Sequence, residues 1–409
     1  MKYVIILGDG MADRPLAELG GKTPLQYART PNMDFIASAG ETGIVRTVPA
    51  GFPPGSDVAN LSVLGYDPNE YYTGRSPLEA VSMGIALGDH DVAFRCNLVT
   101  LSGEMPFRDK TMVDYSAGEI SSSEAAVLIE EVNARLAGEA IRFYPGVSYR
   151  HLMVWRGGPD GSELTPPHDI TGLSVAGHLP RGEGAELLFD LMEKSARFLP
   201  DHPVNRERRA RCLKPANSLW FWGQGRRPAL PGFYEKYGFT GAVISAVDLV
   251  KGIGICAGLK AVEVAGATGN IHTNFRGKAL AALNELSEGR DFVYVHVEAP
   301  DEAGHQGDLE TKIRSIEEID ASVLGEILPA LKDLGDYRIM VLPDHPTPLS
   351  IKTHTADPVP FAVYTGSAGA GTGSGLPYDE NSAASTGIFY PQGHLLMDSF
   401  LRGKLKFHQ

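Results

Sequence analysis

The sequence predicts an α/β protein: a parallel-rich sheet flanked by helices, interrupted by an inserted α+β segment. Three observations predict it. Short continuous apolar runs recur at Lys2–Leu7, Gly241–Ser245, Phe292–Val297, Arg338–Leu342 and Pro360–Tyr364. Runs of that length suit strands buried on both faces. Helical patterns separate several of them, as at Gly277–Leu286 and Leu309–Leu334, and strand alternating with helix marks a parallel sheet. The stretch from about Asp91 to Pro203 departs from this rhythm, with half-alternating strands at Val92–Leu101 and Tyr149–Trp155.

In chain order, the first strand ends at Gly8-Asp9-Gly10. A helix is expected from Ser56 to Leu64, stopping at Gly65. Within the insertion, Ser121 to Ser123 are N-cap candidates for a helix running to about Arg135. Breaks such as Pro166-Pro167 and Leu179-Pro180 punctuate it. The implied organisation is a core of residues 1–88 and 205–409 with an inserted domain of residues 89–204. Gly252, Gly254 and Gly258 miss the dinucleotide-binding spacing by one residue, so they read as a tight turn and close packing. Gly366–Gly375 (GSAGAGTGSG) reads as a flexible loop; it has no lysine and no phosphate-loop pattern.

Bulk properties narrow the function. A hydrophobic content of 43% in 409 residues supports a large core without disulfide staples. The net charge of −13 argues against a nucleic-acid partner, which calls for a broad basic field. The one basic cluster, Arg206, Arg208, Arg209 and Arg211, reads as a solvated helix face. No apolar run approaches the roughly 20 residues of a membrane span, and Tyr3–Leu7 is too short for a signal peptide. Cys96, Cys212 and Cys256 are scattered without a CxxC pair, which fits a reduced, cytoplasmic setting. No motif specifies an oligomeric state.

Four segments carry metal-ligand residues beside apolar runs: Asp9 after the first strand, Asp301 and His305 after Phe292–Val297, Asp344-His345 after Arg338–Leu342, and His354 before the last strand. Residues i and i+4 share one face of a helical turn, so Asp301 and His305 can converge on one ion. In open α/β sheets, sites form beyond the carboxyl ends of the strands. Each segment alone is bland; together they predict a two-metal site. Imidazole with carboxylate suits Zn²⁺ or Mn²⁺, and the oxygen-rich part also admits Mg²⁺. The nucleophile candidate is Ser56, at the start of its helix, where free N–H groups and the helix dipole favour an alkoxide or phosphate. Serine is also a favoured N-cap, and most serines so placed do only that. A divalent ion on the same oxygen would make it nucleophilic at neutral pH.

These segments together resemble the alkaline-phosphatase superfamily, in its bisphosphoglycerate-independent phosphoglycerate mutase branch of archaeal type. The carriers are Gly8-Asp9-Gly10, Gly55–Asn60, Gly74–Ala80, Arg95-Cys96-Asn97, Asp114–Ile120, Asp301–His305, Asp344-His345, and His354 with Pro358-Val359-Pro360. The resemblance spans nearly the whole chain. It implies an alkaline-phosphatase-like core with the insertion as a substrate-binding cap. It also implies that Asp9, Ser56, Asp344 and His345 hold one ion and that Asp301, His305 and His354 hold the other. The implied reaction, a step of glycolysis, is ping-pong exchange of 3-phosphoglycerate and 2-phosphoglycerate through phosphoserine. Cap residues Arg95 and Arg150, with Asn97 and His151, are expected to bind this small phosphorylated hydroxy acid.

The match departs in two places. The better-known mutases carry a lysine near the position of Val264–Thr273; here Gly266–Asn270 has none and the nearest is Lys278. Trp220–Gly225 (WFWGQG) resembles a bacterial subgroup proposed to contain homoserine kinases, which would keep the phosphoryl chemistry and change the acceptor. A metal-dependent phosphatase shares the same site.

Overall fold

A computed structural model of the chain describes residues 1–366 and 373–403. It divides into two compact units, residues 1–72 with 229–409, and residues 73–228. The first unit is built on an eight-stranded sheet. Its strands are β1 (Lys2–Gly8), β2 (Glu41–Val45), β3 (Gly241–Ile244), β4 (Lys260–Val262), β5 (Phe292–Val297), β6 (Tyr337–Leu342), β7 (Val359–Gly366) and β8 (Phe389–Tyr390). Their spatial order is β4-β3-β5-β1-β6-β7-β2-β8. β1 lies between β5 and β6, parallel to both, with Leu7 level with His296 on one side and Leu342 on the other. Every residue of β5 and β6 is buried, His296 and Arg338 included.

The outer strands differ from a purely parallel reading. β7 runs antiparallel to both β6 and β2. No helix lies between β6 and β7. Antiparallel neighbours can be joined by a simple return loop, whereas parallel ones need a crossover.

Four helices matter for the site: α1 (Ser56–Val63), α2 (Phe275–Ser287), α3 (Ala299–Gln306) and α4 (Leu309–Glu318). The helical run expected at Leu309–Leu334 is continuous, but it passes through a π-helical turn at Ile319–Leu324. That turn carries Asp320, whose carboxylate accepts from the N–H groups of Asn32 (3.3 Å) and Met33 (2.8 Å) at the start of helix Pro31–Ala39. Side chains of α2 and α4, including Ala279, Leu286 and Ile316, share one buried cluster with Val4, Ile6 and Val341 of the sheet. Gly254 fits its helix onto β3: a Cβ there would fall 2.5 Å from Val243. Residues 367–372 of the Gly366–Gly375 segment lie outside the described residues.

The second unit centres on the strand Val92–Leu101. It pairs antiparallel with Arg150–Trp155, Ser218–Arg226 and Met112–Asp114, and Ile141–Tyr144 extends the sheet beyond Arg150–Trp155. The helix Ser122–Leu136 is capped by Ser121, which accepts from Glu124 N–H. This unit is wider than residues 89–204, because Ser218–Arg226 hydrogen-bonds to its central strand and helix Ser76–Ser82 packs on it. The basic cluster is only partly a solvated face. Arg208 is 2% exposed; it pairs with Glu124 at 2.8 Å and donates to the carbonyls of Ala117 and Lys214.

Candidate functional site

All four ligand-bearing segments meet at one edge of the large sheet. Asp9 follows β1, Asp301 and His305 lie on α3 directly after β5, and Asp344-His345 follows β6. These three parallel neighbours present their carboxyl ends together. His354 precedes β7, and it reaches the same edge only because β7 runs the opposite way. Gly10, at φ +63°, lets the chain turn there; a Cβ would sit 2.7 Å from the Asp301 Cα.

One half of the cluster comprises Asp301, His305 and His354. Each imidazole places its Nε2 3.3 Å from an Asp301 carboxylate oxygen. The Nδ1–H of His305 donates to the Lys352 carbonyl (3.0 Å) and that of His354 to the Pro54 carbonyl (2.8 Å). A ring so fixed directs the Nε2 lone pair into the site, as a metal-ligating histidine does. The two Nε2 atoms are 2.8 Å apart. Two lone pairs at that separation repel unless a proton or a cation lies between them.

The other half is deeper. Asp344 and His345 are wholly buried and Asp9 nearly so. Asp344 Oδ1 accepts from the N–H groups of Gly10 (3.2 Å) and His345 (2.8 Å), and Oδ2 from Asn60 Nδ2 (2.9 Å). His345 Nε2 lies 3.0 Å from Ser56 Oγ, 3.4 Å from Asp344 Oδ2 and 3.6 Å from Asp9 Oδ1. Its Nδ1 is 3.4 Å from Thr347 Oγ1, whose own proton goes to Asp301. The N-cap position of α1 is Gly55, and Ser56 is the first helical residue. Its hydroxyl therefore caps nothing and turns to His345 instead, against the plain capping reading.

His296 and Asn60 are site residues that the sequence reading did not single out. His296 lies inside β5, and its Nε2 is 3.0 Å from Asp9 Oδ2. Asn60 bridges the Ser56 carbonyl and Asp344 through Nδ2 and accepts from Tyr294 through Oδ1. Among the described residues three overlapping sets of possible ligands result: Asp301, His305 and His354; Asp9, His296 and Asp344; and Asp9, Asp301 and His345.

The electrostatics call for cations. Burial, and then the charges of Asp344, Asp301 and Glu298, push the Asp9 carboxyl well above its usual range, and Asp9 Oδ1 is buried without a hydrogen-bond partner. Burial also works upward on Asp301, but hydrogen bonds from His305 and His354 prevail and hold it well below the usual range. Burial works against protonated His305, yet the bond to Asp301 prevails and raises it to about 9. A buried carboxylate with a bare oxygen, and imidazoles that must share protons to coexist, form a donor set that fits divalent ions. Lys278 is wholly buried, with Nζ 3.0 Å from the His296 carbonyl. Burial lowers it to about 8, opposed by Glu298.

The four expected substrate residues all lie in the second unit, but not on one face. Arg95 pairs across the ladder with Leu152 and Asn97 with Arg150, whereas His151 pairs with Cys96. Side chains alternate faces along a strand, so Arg95, Asn97 and Arg150 share one face and His151 takes the other. Arg95 is 6% exposed. Its guanidinium lies 3.4 Å from Glu79 and 5.1 Å from the Trp222 ring centre, and its Nε has no partner. Arg150 stacks on Tyr149, while Asn97 Oδ1 accepts from Trp222 Nε1 at 3.0 Å. Tyr115, Tyr149, His168 and Trp222 form a chain of edge-to-face rings beside them. The WFWGQG segment thus contributes Trp222 to this face.

A carboxylate–imidazole cluster at the carboxyl edge of a mostly parallel sheet, with a serine hydroxyl facing it, defines an α/β enzyme of the phosphoryl-transfer kind. Residues 37–205 match the family model described as 2,3-bisphosphoglycerate-independent phosphoglycerate mutase. A probable enzyme of that name from Geobacter sulfurreducens is 56% identical over 98% of this chain and all of its own length. Two solved structures are also similar. A Pyrococcus horikoshii protein has 30% identity and TM-score 0.81, over 100% of this chain and 99% of its own. The cofactor-independent phosphoglycerate mutase of Thermoplasma acidophilum has 29% identity and TM-score 0.65, over 98% and 99%. The chain belongs to the 2,3-bisphosphoglycerate-independent phosphoglycerate mutase family.

Proposed function

We propose that this chain interconverts 3-phosphoglycerate and 2-phosphoglycerate through a phosphoserine at Ser56, with two divalent ions bound. The observation that carries the reading is the orientation of Ser56: the first residue of α1, unused as a cap, with its oxygen 3.0 Å from His345 Nε2. Asp301, His305 and His354 hold one ion, and Asp9, Ser56, Asp344 and His345 the other. When bound, Mn²⁺ or Zn²⁺, with Mg²⁺ as the harder alternative, supplies positive charge that makes the seryl oxygen nucleophilic and neutralises the phosphoryl oxygens.

The chain's own groups do the rest. Ser56 Oγ attacks phosphorus and loses its proton; the P–O bond to the substrate breaks, and the departing glycerate oxygen gains a proton. Glycerate then reorients, its other hydroxyl attacks the phosphoserine, and Ser56 is regenerated. The start of α1 offers N–H groups to the phosphoryl oxygens, apart from that of Val58, which donates to Asp57 Oδ1 at 2.9 Å. Asn60 fixes Asp344 relative to the Ser56 backbone. Arg95, Arg150 and Asn97 bind the carboxylate and phosphate, so that the insertion serves as the substrate-binding cap. His151, on the opposite face, is left out of this set. Scattered free cysteines support a cytoplasmic setting.

The test is to incubate the protein with Mn²⁺ and 3-phosphoglycerate, quench in acid, and map phosphate by mass spectrometry. The mark is expected on the peptide containing Ser56 with no nucleotide present. A mark that requires ATP would favour a homoserine-kinase-like phosphotransferase. Ser56→Ala should keep the fold, since no cap is lost, and lose turnover by orders of magnitude. Wild-type turnover in that variant would remove Ser56 as nucleophile.

A further inference from the structure

We propose that His296 is a positioning residue for Asp9: a neutral hydrogen-bond donor, oriented by Ser245, that occupies one carboxylate oxygen and leaves the other for the ion. The inference rests on the two-ion reading above. It gives His296 a different role from the ligand that its place beside Asp9 and Asp344 allows.

The geometry admits a chain of donors that ends on Asp9. His296 is 0% exposed. Its Nε2 is 3.0 Å from Asp9 Oδ2 and its Nδ1 3.2 Å from Ser245 Oγ. Ser245 directly follows β3, the neighbour of β5, and its Oγ accepts the Val247 N–H at 3.0 Å. The hydroxyl proton of Ser245 is therefore free to point at Nδ1. A ring that accepts at Nδ1 carries its proton on Nε2, and that proton points at Asp9 Oδ2. The chain runs in one direction: Val247 N–H to Ser245, Ser245 O–H to His296, His296 N–H to Asp9. At its end, Asp9 Oδ1 is the buried oxygen without a partner. Lys278 holds the His296 carbonyl at 3.0 Å, and the ladder with β1 holds its backbone.

As a ligand, His296 would need the Nε2 lone pair, so the proton would move to Nδ1. Ser245 Oγ would then accept from both Val247 and His296, and its buried hydroxyl proton would lose the acceptor it now has. Donation to Asp9 satisfies Ser245 and both ring nitrogens; ligation leaves the Ser245 hydroxyl proton without its acceptor. Groups that orient a metal ligand in this way typically change metal affinity about 10–100-fold when removed.

The test uses the full-length protein loaded with Zn²⁺, which is diamagnetic, and ¹⁵N-labelled at histidine. The His296 signal, assigned by its loss in His296→Gln, should show a proton on Nε2 and an unprotonated Nδ1. A proton on Nδ1 with Nε2 on the ion overturns the proposal. Zinc titrations read the two sites separately. His296→Phe should weaken the Asp9 site about 10–100-fold and leave the Asp301, His305 and His354 site unchanged. His296→Gln, which keeps an N–H near the same point, should restore affinity to within a few-fold. Ser245→Ala should fall between them and mix the two tautomers. Equal losses in His296→Gln and His296→Phe, or none in either, would overturn the donor role. Should His296→Phe fail to fold, the wild-type tautomer and Ser245→Ala still decide. A wild type that binds no zinc would bring down the two-ion reading itself, whereas zinc bound with the wrong tautomer brings down only this inference.

Discussion

The candidate ligand-binding residues of the two units bury charge of opposite sign. In the first, Asp9, Asp301 and Asp344 sit together at the strand ends, and Asp9 Oδ1 has no donor. In the second, Arg95 is buried with one guanidinium N–H, at Nε, lacking an acceptor. Burial pushes Arg95 down to about 10, although Glu79 opposes this. Among these candidate residues, Asp9 is an acceptor that suits a cation and Arg95 a donor that suits an anion; Arg46 Nε of the first unit also lacks a partner. Unsatisfied buried polar groups are costly. Those at Asp9 and Arg95, of opposite sign, fit an enzyme whose ligands are metal ions and a phosphorylated acid.

The sharpest way to break this contrast is at Asp9. Asp9→Asn should lower ion content, read by elemental mass spectrometry, and cut turnover on the order of 10³-fold, the equivalent of about 4 kcal/mol. Arg95→Met should leave ion content intact and lower kcat/KM about 10–100-fold, mostly through KM. Arg95→Lys should recover part of that, because lysine keeps the charge without the planar fork. Loss of ions in the arginine variant would end the division of labour between the units.

Two pH experiments sharpen the contrast further. In metal-free protein His305 keeps its proton up to about pH 9, and an incoming ion must expel it. Affinity should therefore fall as pH drops below about 9, by at most about tenfold per unit for one displaced proton. Because the folded pKa is raised, the matching contribution to metal-free stability is full below about pH 6.5 and fades as pH rises through about 9. The His305 side chain is 37% exposed, so solvent screening mutes that stability change. Calorimetry in buffers of different ionisation heat would count the proton released, and a count of zero would refute the assignment.

The smallest effect concerns His151, which burial and then Arg95 push down to about 3. Here the folded pKa is lowered, so the unfolded chain takes up the proton first. Stability of the second unit should decline as pH falls from about 6.5 toward 3. All three tryptophans, Trp155, Trp220 and Trp222, lie in that unit, so their fluorescence follows its unfolding in urea. Gly146 N–H donates to His151 Nδ1 at 3.0 Å; His151→Asn, which can keep an acceptor there, should flatten the pH dependence. An unchanged slope would show that His151 is not the group responsible.

The sequence by itself determined the parts governed by local periodicity. Apolar runs located β1, β5 and β6 to within a residue or so, because strands buried on both faces leave a continuous signal. The i, i+4 spacing placed Asp301 and His305 on one helical face. The tertiary structure decided everything that depends on which strands are neighbours and which way they run. His354 joins the cluster because β7 reverses direction, and strand direction has no local signature. His151 parts from Arg150 because ladder register, not sequence proximity, assigns faces. Ser56 is a first helical residue rather than a cap because the chain enters α1 through Gly55, a matter of one backbone conformation. His296 reads in sequence as a core residue of an apolar run. Only the adjacency of β3, which brings Ser245 to one ring nitrogen, and of β1, which brings Asp9 to the other, makes it part of the site.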